Sequence, residues 1–352
     1  MIPNKVLLVG AIGLPTVNDV FKTVGEVLGK RIKRIPDGEP GGRRQWVMWQ
    51  FPLLFVNPLL TVNKNPPPNA LPMPVAFIRL ADGVKPGELE FGELGYAREF
   101  RASYEDFVRA RKANQFRADV KFQVTLPTPF AVVTTFCPGK DLTEIEKAYE
   151  RAMHEEVRTI CNEIPHNDLC IQWDVCQEVL IYDGQFEGFT PEHFISREPE
   201  TDLMPNELMP RMMRLCSWIP DDVELGIHLC YGDYMAKHSA EPVDLGKAVS
   251  FANKLAATVA HPLAYVHMPV PIDRHDDSYF KPLKNLALAP ATELYLGVIH
   301  SEDGADGANK RIAAAAKYAD DFGIATECGM GRCKTPAVVV SMLKTHAAVT
   351  RA

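Results

Sequence analysis

Residues 223–230 read VELGIHLC, an apolar run that ends on a histidine and a cysteine two positions apart. Side chains alternate along a strand with period two, so His228 and Cys230 share a face and converge at the strand's end. Seven further short apolar runs flank this one, at 5–10, 31–36, 120–126, 168–174, 263–267, 293–300 and 323–328. Helical patterns separate them. Strands that alternate with helices build a parallel sheet covered by helices, and eight strands predict an α/β fold of the (β/α)8 TIM-barrel type.

The helices are legible from their faces and ends. Val17, Val20, Phe21, Val24, Val27 and Leu28 share one helical face, and Gly29 stands where a helix stops. Asp141 with Glu144 has the form of a capping box that opens a helix running to about Cys161. Segments 245–257, 308–320 and 336–346 read as further helices. Two stretches break the alternation. The first, 51–85, holds Pro66, Pro67, Pro68, Pro72 and Pro74, which exclude helix interiors and central strands, and a hairpin is expected near 75–80. The second, 183–210, suits a lid or an oligomer contact. Neither has the boundaries of a separate domain, so one domain over 1–352 with two insertions is expected.

Composition narrows the function. The 352 residues carry 38 Lys+Arg and 45 Asp+Glu, a formal charge of −7. Phosphate neutralisation dominates nucleic-acid affinity, so an acidic chain without a basic tract is not expected to bind nucleic acid. The basic run 30–34 (KRIKR) reads as a solvated helix end and strand start. The most apolar stretch, 46–60, is interrupted by Gln50, Pro52, Asn57 and Pro58 and falls short of the ~20 residues that span a bilayer. It suits the core or a homodimer contact. The N-terminal MIPNKVLLVGAIGLP reads as a buried first strand rather than a signal peptide. Eight cysteines without a CxxC pair are too sparse for a disulfide scaffold and suggest a reducing, cytoplasmic setting.

Chemistry in such a barrel belongs at the C-terminal ends of the strands. Those ends carry Asp37 and Glu39, Asp174, His228 and Cys230, His267, His300, and Cys328. An imidazole and a thiolate from H-x-C suit Zn²⁺, with Cys328 as a third ligand across the mouth. Cys137, Cys161, Cys170, Cys176 and Cys216 read as small buried hydrophobes. Glu39 lies in DGEPGGRR, either facing a ligand or paired with Arg43 or Arg44. Asp174 closes an apolar strand and is expected to face the mouth.

The H-x-C on a late strand, the final strand ending in CGMGR, and the aspartate after the middle strand resemble cobalamin-independent methionine synthases. More broadly they resemble the uroporphyrinogen decarboxylase/methionine synthase superfamily, here as a single barrel. The resemblance spans nearly the whole chain. It implies a zinc site at His228, Cys230 and Cys328, amino-group binding by Asp174 and Glu39, and a proton shuttle at His300. Two departures stand out: Gly10-Ala11 replaces the family's glycine-serine motif, and His267 replaces the zinc-binding glutamate. The folate-stacking tryptophan has no clear counterpart either.

Two enzymatic readings follow. In the first, zinc lowers the pKa of a small-molecule thiol, whose thiolate attacks a methyl or other alkyl donor. Glu39, Asp174, Arg274 and Asp277 would bind substrate. His300, Asp174 and Tyr279 would serve catalysis, with His267 as the fourth metal ligand. In the alternative, a lyase or hydrolase, the same metal binds water or an oxygen substrate, and the loop of Arg274, Asp276 and Asp277 joins the acid–base set. A non-catalytic barrel would leave the strand-end His and Cys side chains buried without partners, which is costly.

Overall fold

The computed structural model describes residues 3–66, 74–85, 87–184, 204–232, 238–332 and 334–351. Seven strands form one parallel sheet, in the order β1 (Arg34–Pro36), β4 (Lys121–Pro127), β5 (Leu169–Val175), β6 (Glu224–Leu229), β7 (Leu263–Pro269), β8 (Glu293–Ile299), β9 (Gly323–Thr326). The hairpin β2 (Leu60–Val62) and β3 (Ile78–Leu80) stands apart inside the first insertion, close to where it was expected.

The sheet has seven strands where eight were expected. Segment 5–10 forms no ladder, because it makes only three backbone bonds to its flanks. Val6 N–H donates to Arg31 O, Leu7 N–H to Ile324 O, and Ile324 N–H to Lys5 O, each at 2.9 Å. Val6 thereby bridges to Ile32, just before β1, and to Ile324 on β9, the two edges of the curled sheet.

Helices follow the sequence pattern closely. α1 (Val17–Leu28) starts at Thr16, whose side-chain oxygen accepts from Asp19 N–H at 3.1 Å, and stops at Gly29 with φ of 52°. It buries Val20, Phe21, Val24 and Leu28. α5 (Leu142–Glu163) forms, yet Asp141 makes no cap bond to it. Its carboxylate accepts from Leu80 N–H at 3.2 Å and so ties the hairpin to the helix start. α8 (Gly246–Thr258) and α11 (Pro336–Val349) lie near the expected spans. α10 (Gly304–Ala315) runs about one turn earlier than expected, with Asp303 just before it paired to Arg311 at 2.8 Å. Most of the second insertion, 185–203, lies outside the described residues. No helix among them is long and apolar enough to cross a membrane.

The N-terminal ends of the strands are closed by charge. Arg34 is buried and binds Glu224 at 2.5 Å and Glu293 at 3.0 Å, with its guanidinium 4.9 Å above the Tyr265 ring. Within the basic run, therefore, Arg34 is a core plug and not a solvated strand start. Gly226 makes room for this packing, since a Cβ there would collide with the Tyr265 ring. From Tyr265 a polar column climbs through the interior: its hydroxyl donates to Gln172 Oε1 at 2.7 Å, and Gln172 Nε2 donates to Asp174 Oδ1 at 2.7 Å.

Candidate active site

At the opposite end of that column lies a cavity of about 320 Å³, lined among others by Gly10, Glu39, Trp46, Asp174, Cys230 and Cys328. β6 delivers His228, and Cys230 follows one residue beyond the strand. Pairing with β5 continues through Cys230 N–H, which donates to Val175 O at 2.9 Å. Cys328 follows β9. One nitrogen of His228 and the sulfurs of Cys230 and Cys328 all lie within 4.8 Å of one another, with the two sulfurs 3.8 Å apart.

His228 Nδ1 sits 2.7 Å from His267 Nδ1, while His228 Nε2 is buried without a hydrogen-bond partner. Burial pushes the His228 imidazole well below its usual pKa and the His267 imidazole down to about 3, so both rings are neutral at pH 7. Two neutral rings share one proton along the Nδ1–Nδ1 contact. His267 Nε2 is likewise buried without a hydrogen-bond partner. With His228 Nδ1 as the donor of this contact, His228 Nε2 is left bare as an acceptor. A bare buried nitrogen beside two thiols fits a soft or borderline cation such as Zn²⁺. This arrangement corrects the placement of His267: it lies behind His228 and outside the converging group, because its Nδ1 is engaged by the neighbouring ring.

The carboxylates occupy the same cavity. Asp174 faces inward, as the strand register predicts, and the Trp46 side chain hydrogen-bonds it. Glu39 has φ of 50°, donates its N–H to Asp37 Oδ1 at 2.9 Å, and accepts from Thr125 Oγ1 at 2.8 Å. Arg43 binds Asp37 at 2.6 Å and leaves Glu39 facing the cavity. Gly10 permits this approach, since a Cβ there would lie 2.9 Å from Glu39 Oε1. Burial raises Glu39 to about 7 against the opposing Thr125 and Arg43 contacts. Burial first, and then Glu39, raise Asp174 well above the carboxylate range. Arg332 opposes the shift at both acids.

His300 stands to one side of the cavity. It follows β8 and lines a small adjoining pocket with Glu327 and Cys328. Its Nε2 donates to Val270 O at 2.8 Å, its Nδ1 lies 3.5 Å from Glu327, and burial holds its pKa below the usual value. The polar loop after β7 does not reach the cavity, a correction to its expected role. Tyr279 is buried under Arg274, 4.5 Å away, with its hydroxyl 3.3 Å from Pro269 O. Arg274 binds Asp276 at 2.9 Å, and Asp277 binds Lys317 at 2.7 Å on the surface. These partners draw the loop onto neighbouring elements.

Sequence reasoning missed two contributors. Residues 44–48 line one wall, including Trp46 in a left-handed conformation with φ of 54°. Cys176 lines the cavity as well, beside Cys230. The signal for it is present: Asp174-Val175-Cys176 repeats the period-two spacing of His228-Leu229-Cys230 on the adjacent strand.

No family model matches the chain, and no curated protein does. Solved structures do. A protein from Listeria monocytogenes described as a vitamin-B12-independent methionine synthase superimposes with a TM-score of 0.57 at 14% identity, over 99% of this chain and 97% of that one. A B12-independent methionine synthase from Shewanella sp. W3-18-1, in complex with selenomethionine, gives 0.61 at 13% identity, over 99% and 98%. The chain therefore shares the fold of these proteins along nearly its whole length.

Proposed function

We propose that the protein is a zinc-dependent transferase that activates a small thiol for methyl or other alkyl transfer, in the manner of the methionine synthases whose fold it shares. The carrying observation is the convergence of His228, Cys230 and Cys328 with a buried, bare His228 Nε2. Zn²⁺ held by these three residues would supply the Lewis acidity that keeps a bound thiol ionised at neutral pH. His267 fixes the His228 tautomer. Asp174 and Glu39 bind a cationic group of a substrate, which would draw both carboxyls into their charged form. The apolar walls around Leu180, Val47 and Met48 exclude water from the thiolate. His300, with Nδ1 beside Glu327, is the base that takes up a proton released when the thiol ionises.

The same reading makes 1–352 one catalytic domain in which segment 5–10 completes an eight-stave barrel, working in the cytoplasm and pairing as a homodimer through 46–60. The test is substrate consumption by zinc-loaded protein, offered a small thiol with a methyl donor and, separately, with an epoxide. Loss of the free thiol together with either electrophile supports the transferase. Turnover of a small substrate that proceeds equally without thiol contradicts it.

A further inference from the structure

We propose that the alkyl donor of this site is a methylated onium, a quaternary ammonium or sulfonium group seated against an aromatic niche of Trp46, Trp49, Tyr96 and Phe100. The inference rests on the transferase reading above and names the class of electrophile that reading requires.

The niche opens off the main cavity. Glu39, Trp46 and Asp174 line both, and the niche adds Trp49, Tyr96 and Phe100. Local structure explains why four rings meet there. Segment 41–50 kinks at Gln45 and Trp46, where Trp46 has φ of 54°, and both Trp46 and Trp49 reach the niche wall. Trp49 meets Tyr96 edge to face, with ring centroids 4.8 Å apart. Tyr96 opens α3 (Tyr96–Lys112), and Phe100 lies one turn further along the same buried face. The niche holds about 10 Å³, roughly the room of one water- or methyl-sized group. Two arginines stand nearby. Arg43 lies 5.2 Å over the Phe100 ring and is bound to Asp37 at 2.6 Å, so its charge is met. Arg332 lines the main cavity and not the niche.

This wall chemistry separates a methylated onium from an ordinary amine. An ammonium with N–H groups needs acceptors on every side, and the niche offers ring faces instead. Its two carboxylates already accept from Thr125 at 2.8 Å and Gln172 at 2.7 Å. A methylated onium has no N–H to satisfy. Its charge is spread over methyl groups that pack on the negative faces of the rings, while Glu39 and Asp174 supply the counter-charge. One methyl fills the niche. The others stay in the main cavity, which Cys230 and Cys328 also line. A thiolate there bonds to a methyl carbon as the carbon–nitrogen or carbon–sulfur bond breaks. The electron pair leaves with a neutral amine or thioether, so the two charges cancel and no co-reactant is needed.

The test begins with calorimetric titration of the full-length, metal-free protein, which removes zinc from the question. Choline and its neutral isostere 3,3-dimethylbutan-1-ol share a shape and differ in charge, and choline should bind at least about 10-fold more tightly. Equal affinity overturns the proposal. Tighter binding of methylammonium than of tetramethylammonium also overturns it and leaves Glu39 and Asp174 as an ordinary amine site. Trp49→Leu should weaken tetramethylammonium roughly 3- to 30-fold and Trp49→Phe should recover most of the loss. An unchanged affinity in Trp49→Leu overturns the niche. Zinc-loaded protein with 2-mercaptoethanol then tests the donor role: methylated thiol from tetramethylammonium identifies an ammonium donor, and from trimethylsulfonium a sulfonium donor. Thiol consumed with an epoxide but with neither onium overturns the donor assignment and leaves the transferase standing. Selective onium binding with no thiol consumed by any electrophile overturns the transferase reading and, with it, the donor role.

Discussion

The two ends of the sheet treat their buried polar groups differently. At the N-terminal end opposite charges are paired: Arg34 with Glu224 and Glu293, and Lys33 with Glu293 at 2.6 Å, with Tyr295 donating to Glu293 at 3.1 Å. At the C-terminal end like groups also meet, beside complementary pairs such as Arg43 with Asp37. Imidazole faces imidazole, thiol faces thiol, and Asp174 faces Glu39. Contacts between like buried groups cost free energy that a complementary partner would relieve. One end is complete in itself. In the proposed function the other end gains its partners from a metal on the sulfur side and a cationic substrate group on the carboxylate side.

That contrast breaks most easily at Arg34. Arg34→Ala leaves Glu293 and the half-exposed Glu224 without their shared partner and should destabilise the fold by about 3 kcal/mol. Chemical denaturation measures it, and metal affinity of the folded fraction should not change. Cys230→Ser should do the reverse: metal affinity falls at least about 100-fold in a chelator competition, while the metal-free protein unfolds at nearly the wild-type midpoint. Should Cys230→Ser instead destabilise the metal-free chain as much as Arg34→Ala, the two ends would be alike, and the contrast would fail.

Finer variants sharpen it. His267→Ala frees His228 to take either tautomer and should weaken metal binding by roughly 10- to 100-fold without abolishing it. Full loss would return His267 to the coordination sphere. Glu39 gives a pH signature. Its pKa in the fold, about 7, lies above the ordinary 4.5, so the fold favours its protonated form. Stability from this group is present below pH 4.5 and is lost as pH rises to about 7. Glu39→Gln should therefore match wild type at pH 4.5 and melt at a higher temperature at pH 8. Parallel melting curves across that range would place Glu39 in an ordinary polar setting. Asp277→Asn, at an exposed ion pair with Lys317, should change stability by less than about 1 kcal/mol and leave metal binding alone.

Much of this was legible because strand physics is local. Period-two alternation places His228, Cys230 and Asp174 on the cavity face, and the apolar runs locate all seven strands of the main sheet. The misjudged residues depend on contacts between distant segments. His267 ends an apolar run like a ligand, yet its ring is captured by His228, 39 positions away in sequence. Arg274, Tyr279 and Asp277 form a ligand-like loop whose charges are met by Asp276 and Lys317. Arg34 reads as surface charge until Glu224 and Glu293 converge on it. Cys176 was visible by the same rule as Cys230. It lacked a histidine two positions before it, and a lone cysteine reads as a small apolar residue.

The central claim is that the sulfur side of the mouth holds a metal ion. Crystals of protein loaded with one Zn²⁺ per chain, measured on both sides of the zinc absorption edge, test it directly. The account predicts a single anomalous peak bounded by His228 Nε2 and the sulfurs of Cys230 and Cys328. A peak at any other place, or zinc-loaded crystals with none between those three residues, would contradict it.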